Sequence, residues 1–335
     1  MKIAILGGGC VGLTTALAVQ EEFRNHHLDV LAENFEQTTS HVAAGIFRVS
    51  PTFSGPTDSI TRKWISDSYH YYEAICRSRE ASEAGVTSIS GYIFANTSPE
   101  SVKNDLMEKL VPIYRPVTDD EIELVGGNWK YGSFLSTLLT QPNQYLPWAR
   151  NKLTASGAVL KKYSVKSLKE LAKDYDLVIN CTGLGSQSIC QDRKLVPIKG
   201  QVIKVRAPWL KTFFYGEINT YIIPNGNGTA TLGGIRDFEC SDLTVCPYQA
   251  AAIRDRCERL VPSLKTAQLI EHKTGLRPHR EGGVRVEAER IKDGLCSALV
   301  IHNYGHGGYG ICTAPGTSKY AVELARDAHR SSAKL

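Results

Sequence analysis

KIAILGGGCVG, residues 2–12, runs from an apolar pentapeptide into three consecutive glycines, with a fourth at Gly12. The apolar run predicts a buried strand over 2–6, the glycines a turn over 7–12, and the residues after them a helix over 13–22. A second apolar run, 28–32, ends at Glu33. A strand, a helix and a strand in such quick succession imply parallel pairing through a right-handed crossover.

Gly7, Gly9 and Gly12 fit the GxGxxG spacing. The first glycine permits a tight turn, the second lets a pyrophosphate approach the backbone, and the third lets helix and strand pack closely. The helix N-terminus then faces negative phosphates. Glu33 follows about 20 residues on, where a carboxylate accepts from ribose hydroxyls. An acid there argues against a 2′-phosphate and so against NADP. NAD and FAD both fit this much. The hydroxyls of Thr38-Thr39-Ser40 and the small residues Ala43-Ala44-Gly45 suit a loop wrapped around a second part of a long cofactor.

Near the other end, the apolar run 297–301 leads into His302-Asn303-Tyr304-Gly305-His306-Gly307-Gly308-Tyr309-Gly310. So many glycines after a strand mean a tight turn or a backbone lying close against something flat or anionic. A flavin ring needs such a platform, which favours FAD. His302 and His306 have no carboxylate or cysteine at ligand spacing, so neither a metal nor a general base is expected there.

The chain has 335 residues, enough for two domains, and a mild net charge of +5. Lys and Arg are scattered, so no nucleic-acid footprint is expected. The nine cysteines are odd in number and show no CxxC spacing, which reads as reduced thiols in a non-secretory compartment and not as a disulfide frame or zinc site. Glycines interrupt the N-terminal apolar run, so a strand and not a signal peptide is expected. No segment approaches a membrane span.

Helices are predicted over 63–82, 99–110, 143–156, 246–260 and 317–328. Further strands are predicted over 87–95, 158–165, 176–180, 196–206, 220–224, 229–233 and 273–277. Nucleotide-type α/β segments thus occur at the beginning, middle and end. The expected fold is α/β: a Rossmann-like FAD-binding domain of residues 1–50, 140–195 and 295–335, interleaved with a sheet-rich α+β substrate domain of 51–139 and 196–294. In the latter, Pro278 stiffens a turn between Arg277 and Arg280. A guanidinium fixed at a strand end suits bidentate carboxylate binding. Arg236, after Leu232-Gly233-Gly234-Ile235, is a second candidate, and Tyr221 offers a phenol donor.

The strings ILGGGCVGL, TTSHVAAG, QYLPWARNKLTASGA, VINCTG, YIIP, TLGG, TGLRPHR and HNYGHGGYG occur in this order. Through them the chain resembles the peroxisomal D-amino acid oxidase and D-aspartate oxidase family over nearly its whole length. The resemblance implies non-covalent FAD and oxidation of a D-amino acid, with hydride passing from the substrate Cα to flavin N5. It further implies reoxidation by dioxygen to hydrogen peroxide, and hydrolysis of the imine to a 2-oxo acid and ammonia. By position it assigns Arg280 to the α-carboxylate, Tyr221 as its helper, and Gly308 to the substrate amine. Gly7, Gly9, Gly12, Glu33, Asn34, Thr39, Ser40, Gly45, Ile46, Val165, Gly307, Gly310, Ile311 and Cys312 match cofactor-contacting positions. Asn34 stands where a basic residue is common.

Substrate choice turns on Arg236, which follows Leu-Gly-Gly-x as in acidic-substrate members, and on Arg48, a further positive charge. Another arginine found upstream of the tyrosine in those members is absent, with Phe213, Phe214 and Tyr215 in its place. YIIP and HNYGHGGYG stand closer to the neutral branch. The reading leans to D-aspartate or D-glutamate, with neutral D-amino acids as the alternative.

The ending Ala333-Lys334-Leu335 is similar to the Ser-Lys-Leu address read by the peroxisomal import receptor. Peroxisomal location is therefore expected, and cytosolic location if the tripeptide is inactive. Deleting these three residues is expected to leave the protein in the cytosol on cell fractionation; unchanged localisation counts against the signal.

Overall fold

The computed structural model describes residues 1–332, so the expected import signal lies outside the described residues. Two sheets organise the fold. The first has six strands in the order Arg285–Asp293, Cys296–Tyr304, Leu177–Asn180, Lys2–Leu6, His27–Ala32 and Val159–Lys162. All pairs are parallel except the first, which is antiparallel. The central strands are buried on both faces, which explains their unbroken apolar sequence. The helices Cys10–Glu22 and Gly310–Ser332 pack on each other beside it.

The second sheet has nine strands and is antiparallel apart from Phe213–Tyr215, which runs parallel to Val86–Ala95. Its long members are Leu195–Arg206 and Gln268–Arg280, paired almost residue by residue from Arg206 opposite Gln268 to Leu195 opposite Arg280. One strand predicted over 273–277 therefore extends in both directions, because its partner offers a ladder along its whole length. Ile203, Val205, Ile222 and Leu232 bury one face of this sheet against the helix Pro247–Leu260.

Three local readings are corrected. The helix predicted over 99–110 is broken into two single turns, Pro99–Val102 and Asp105–Glu108. Asn104 divides them: its side chain accepts from the backbone N–H of Leu106 and Met107, starting a new turn where a helix would continue. The helix predicted over 63–82 spans Asp58–Cys76, started by the Thr57 cap on Ile60. The charged strand Arg285–Asp293 pairs with Cys296–Tyr304, so residues 285–293, placed by sequence in the substrate domain, belong to the first sheet. No helix among the described residues is long and apolar enough to cross a membrane.

The last helix is fixed by a glycine. A Cβ on Gly316 would fall 2.0 Å from the carbonyl oxygen of Trp64, in the helix Asp58–Cys76. The Gly316 N–H donates instead to Ser68 Oγ at 2.8 Å. Gly316→Ala forces the two helices apart and is expected to cost about 1–3 kcal/mol. A lower urea midpoint with unchanged slope checks this; an unchanged midpoint contradicts it.

Candidate active site

One cavity of about 1380 Å³ runs between the two sheets, from Glu33 at one end to Arg236 and Arg277 at the other. It is large enough for an extended dinucleotide together with a small substrate.

The Glu33 end is built from the first turn of the chain. Gly7 has φ +122°, and a Cβ there would meet the Cys181 carbonyl oxygen at 2.4 Å. A Cβ on Gly12 would fall 2.0 Å from the Gly7 oxygen, so helix and strand touch backbone to backbone. Gly9 caps the helix without a side chain, and the Cys10 N–H donates to Ser40 Oγ at 3.0 Å. Ser40 thus sits over the helix N-terminus, while the next N–H groups keep the partial positive charge that attracts phosphate. Glu33 is exposed at the strand end and accepts from Ser164 Oγ, beside the buried Val165. Lys166 Nζ reaches the same hydroxyl at 2.9 Å.

Three of the residues expected at the cofactor also hold the chain in shape. Asn34 Oδ1 accepts from the N–H of Glu36 and Gln37 and so closes a turn. Thr39 Oγ1 donates to the Leu276 carbonyl at 2.9 Å, tying this loop to the strand Gln268–Arg280. Gly45 has φ +84° and leaves no room for a Cβ, which would lie 1.8 Å from the Thr140 oxygen. That approach lets Ile46 bridge to Leu139 and sets its carbonyl 3.1 Å from Cys312 Sγ.

The platform at the middle of the cavity comes from the second glycine run. Gly307 has φ +57° and faces the His279 ring, and Gly308 lies against the Arg277 side chain, with a Cβ position 3.3 Å from Arg277 Cδ. Gly310 faces Val11 of the first helix, and Ile311 and Cys312 are buried behind it. The histidines are structural. His306 Nε2 sits 2.9 Å from Thr317 Oγ1, and burial pushes its ring down to about 3, so it stays neutral. His302 is buried against Asn180 and Glu289. Among the described residues no cluster of His, Cys, Asp and Glu is arranged to hold a metal.

The two arginines of TGLRPHR point to opposite sides of their strand, as an odd spacing requires. Arg280 turns away from the platform. Its Nε donates to Asp192 Oδ2 at 2.8 Å and its Nη1 to the Gly283 carbonyl. Tyr304 donates to the same Asp192 oxygen at 2.9 Å. Burial works against the Asp192 anion, yet the Arg280 and Tyr304 hydrogen bonds hold its carboxyl below the usual range. Arg280 already has its carboxylate.

Arg277 does not. Its Nη1 donates to the Ile235 carbonyl at 3.0 Å and the Lys199 carbonyl at 3.3 Å, and its guanidinium fills the space that a Cβ on Gly200 would take. The Tyr221 phenol and Arg236 both lie within its field. Burial lifts the Tyr221 phenol above its usual range against the pull of Arg277, so the hydroxyl remains a donor. The Tyr221 ring lies flat over Gly233 and Gly234, where added Cβ atoms would fall 1.9 and 2.9 Å from it. This is why two glycines precede Ile235 and Arg236. Arg236 is exposed, and Arg48, half-buried, holds its guanidinium 4.5 Å above the Tyr215 ring. Among the described residues, no carboxylate forms an ion pair with Arg48, Arg236 or Arg277.

The DAO family, described as FAD dependent oxidoreductase, matches residues 2–324. D-aspartate oxidase of Homo sapiens is 34% identical over 326 residues, covering 96% of this chain and 94% of that protein. D-amino acid oxidase of Dugesia ryukyuensis is 28% identical, covering 98% of each. Among solved structures, glycine oxidase from Bacillus cereus ATCC 14579 superposes with a TM-score of 0.81 at 18% identity, over 98% of this chain and 95% of that one, a likeness of fold. The nucleotide turn, the glycine platform and the full-length match agree: the chain belongs to the DAO family of FAD-dependent oxidoreductases.

Proposed function

We propose that this chain oxidatively deaminates D-amino acids, acidic ones in preference, to a 2-oxo acid, ammonia and hydrogen peroxide. The observation that carries the reading is Arg277: a half-buried guanidinium held by two carbonyls, with the Tyr221 phenol nearby, beside the glycine platform and without a carboxylate partner among the described residues. The relatives D-aspartate oxidase and D-amino acid oxidase support the reaction class.

The residues fit FAD. The first helix and Ser40 suit the pyrophosphate, Glu33 the ribose, and Gly307 to Cys312 the ring, where small residues clear a flat approach. When bound, FAD supplies the acceptor for the Cα hydride, and dioxygen removes the electrons as hydrogen peroxide. Arg277 takes the α-carboxylate bidentately, in place of Arg280. Tyr221 donates its neutral hydroxyl to the same carboxylate, and the backbone carbonyl at Gly308 accepts from the substrate amine. These contacts fix the Cα hydrogen toward the platform, and orientation is the protein's main contribution. Neither histidine of the glycine run serves as a base: burial lowers the proton affinity of both rings, His306 is engaged with Thr317, and His302 lies against Asn180 and Glu289. Arg236 offers a cation to a side-chain carboxylate. Its exposure supports the second reading, a neutral-substrate oxidase in which this side chain turns to solvent. A peroxide-forming reaction also gives the expected peroxisomal address a use, because catalase shares that compartment.

Arg277→Ala is expected to cost about 2–5 kcal/mol in transition-state binding, a loss of kcat/KM of roughly 30-fold or more. Arg280→Ala is expected to lower the unfolding midpoint, by leaving Asp192 unpaired, and to cost far less in kcat/KM. The reverse order returns the carboxylate role to Arg280. A peroxide assay across D-Asp, D-Glu, D-Ala and D-Met tests the acidic preference, and Arg236→Ala is expected to shift the D-Asp to D-Ala ratio of kcat/KM about tenfold. An unchanged ratio removes Arg236 from substrate selection.

A further inference from the structure

Arg236 and Arg48 also face the cavity, and they come from different elements. Arg236 follows the strand Thr229–Gly233 and lies in the field of Arg277 and Tyr221. Arg48 follows the loop opened by Gly45 and lies over Tyr215. Tyr215 pairs with Tyr221 across adjacent strands, with ring centroids 5.8 Å apart. The order along this wall is therefore Arg277, Tyr221, Tyr215, Arg48. Arg48 stands one aromatic ring farther from the α-carboxylate position than Tyr221 does.

Its geometry is that of a recognition group. A guanidinium stacked on a ring face is held by cation–π attraction, which leaves its in-plane N–H donors free for a carboxylate. No carboxylate of the described residues forms an ion pair with it. Of the acids lining the cavity, Glu33 is engaged at Ser164, Glu217 accepts from the backbone N–H of Asn96 and Thr97, and Glu281 is exposed in the turn after Arg280. The neighbouring Cys312 thiol is no counter-ion, since burial raises its pKa to about 11 despite Arg48.

We infer that Arg48, held flat by Tyr215, forms a second and more distant subsite for the substrate's side-chain carboxylate, and that it admits D-glutamate, one methylene longer than D-aspartate. This rests on the acidic-substrate reading above. It gives Tyr215, one of the three residues that stand where an arginine is expected, a role of its own: it carries a guanidinium supplied from another part of the chain.

The test uses FAD-saturated enzyme and reads the ratio of kcat/KM for D-Glu over D-Asp. Arg48→Gln is expected to lower that ratio roughly tenfold. Arg48→Lys is expected to recover only part of it, because an ammonium neither stacks nor forks. Tyr215→Leu, which keeps the charge and removes its platform, is expected to lower the ratio as well. Inhibition by glutarate, compared with succinate, is expected to weaken in the same variants. If the ratio and the glutarate inhibition stay unchanged in Arg48→Gln, the subsite does not exist. If the ratio is unchanged and FAD affinity falls, Arg48 belongs to the cofactor and the inference is overturned. A wild-type enzyme that prefers D-Ala to D-Asp overturns the acidic reading itself, whereas one that prefers D-Asp with a ratio insensitive to Arg48 overturns only the distant subsite.

Discussion

A half-buried guanidinium without an acid is the constraint from which the rest of the site follows. Taking a charge out of water costs several kcal/mol unless partners replace the water. Arg277 has two carbonyls on Nη1 and the Tyr221 phenol nearby, which leave its charge uncompensated. The glycines around it answer the steric side of the same problem. Gly200 gives the guanidinium its space, Gly308 clears its stem, and Gly233 and Gly234 let the Tyr221 ring lie against the backbone. On the proposed reading, an anion from outside completes this uncompensated cation. Arg280, three residues on, is the contrast: same motif, same strand, and a carboxylate of the chain already in place.

That contrast also shows where sequence reasoning stopped. The strand, glycine turn and helix at the N-terminus were legible because each glycine answers a local steric demand, and because a fully buried strand writes itself as a continuous apolar run. The glycine platform was legible for the same reason. The two arginines of TGLRPHR are chemically identical, and Pro278 between them suggests a turn where the backbone is in fact extended. Only the alternation of the strand, fixed by its register with Leu195–Arg206, separates them. A strand predicted to continue through Pro278 would have put them on opposite faces and left the choice to burial.

Other differences share one cause, a side chain used twice. Asn34 and Thr39 sit at positions matched to the cofactor, yet each holds the chain in shape, one as a turn former and one as a tie to Leu276. The strand Arg285–Asp293 escaped notice because an outer strand facing water has no need of an apolar run. Arg48 and Tyr215 lie far apart in sequence, and nothing in either segment announces that one lies over the other.

The Thr39 hydroxyl has a wider meaning. It joins the loop beside the phosphate turn to the strand that carries Arg277, and His279 of that strand bridges to His306 at the platform. The two halves of the cavity are therefore one mechanical unit. If ordering the nucleotide loop steadies Arg277 through this tie, the converse holds with equal strength, because linkage between two ligands is reciprocal. On the proposed reading, an occupied substrate site would then help retain the cofactor, alongside the glycine turn.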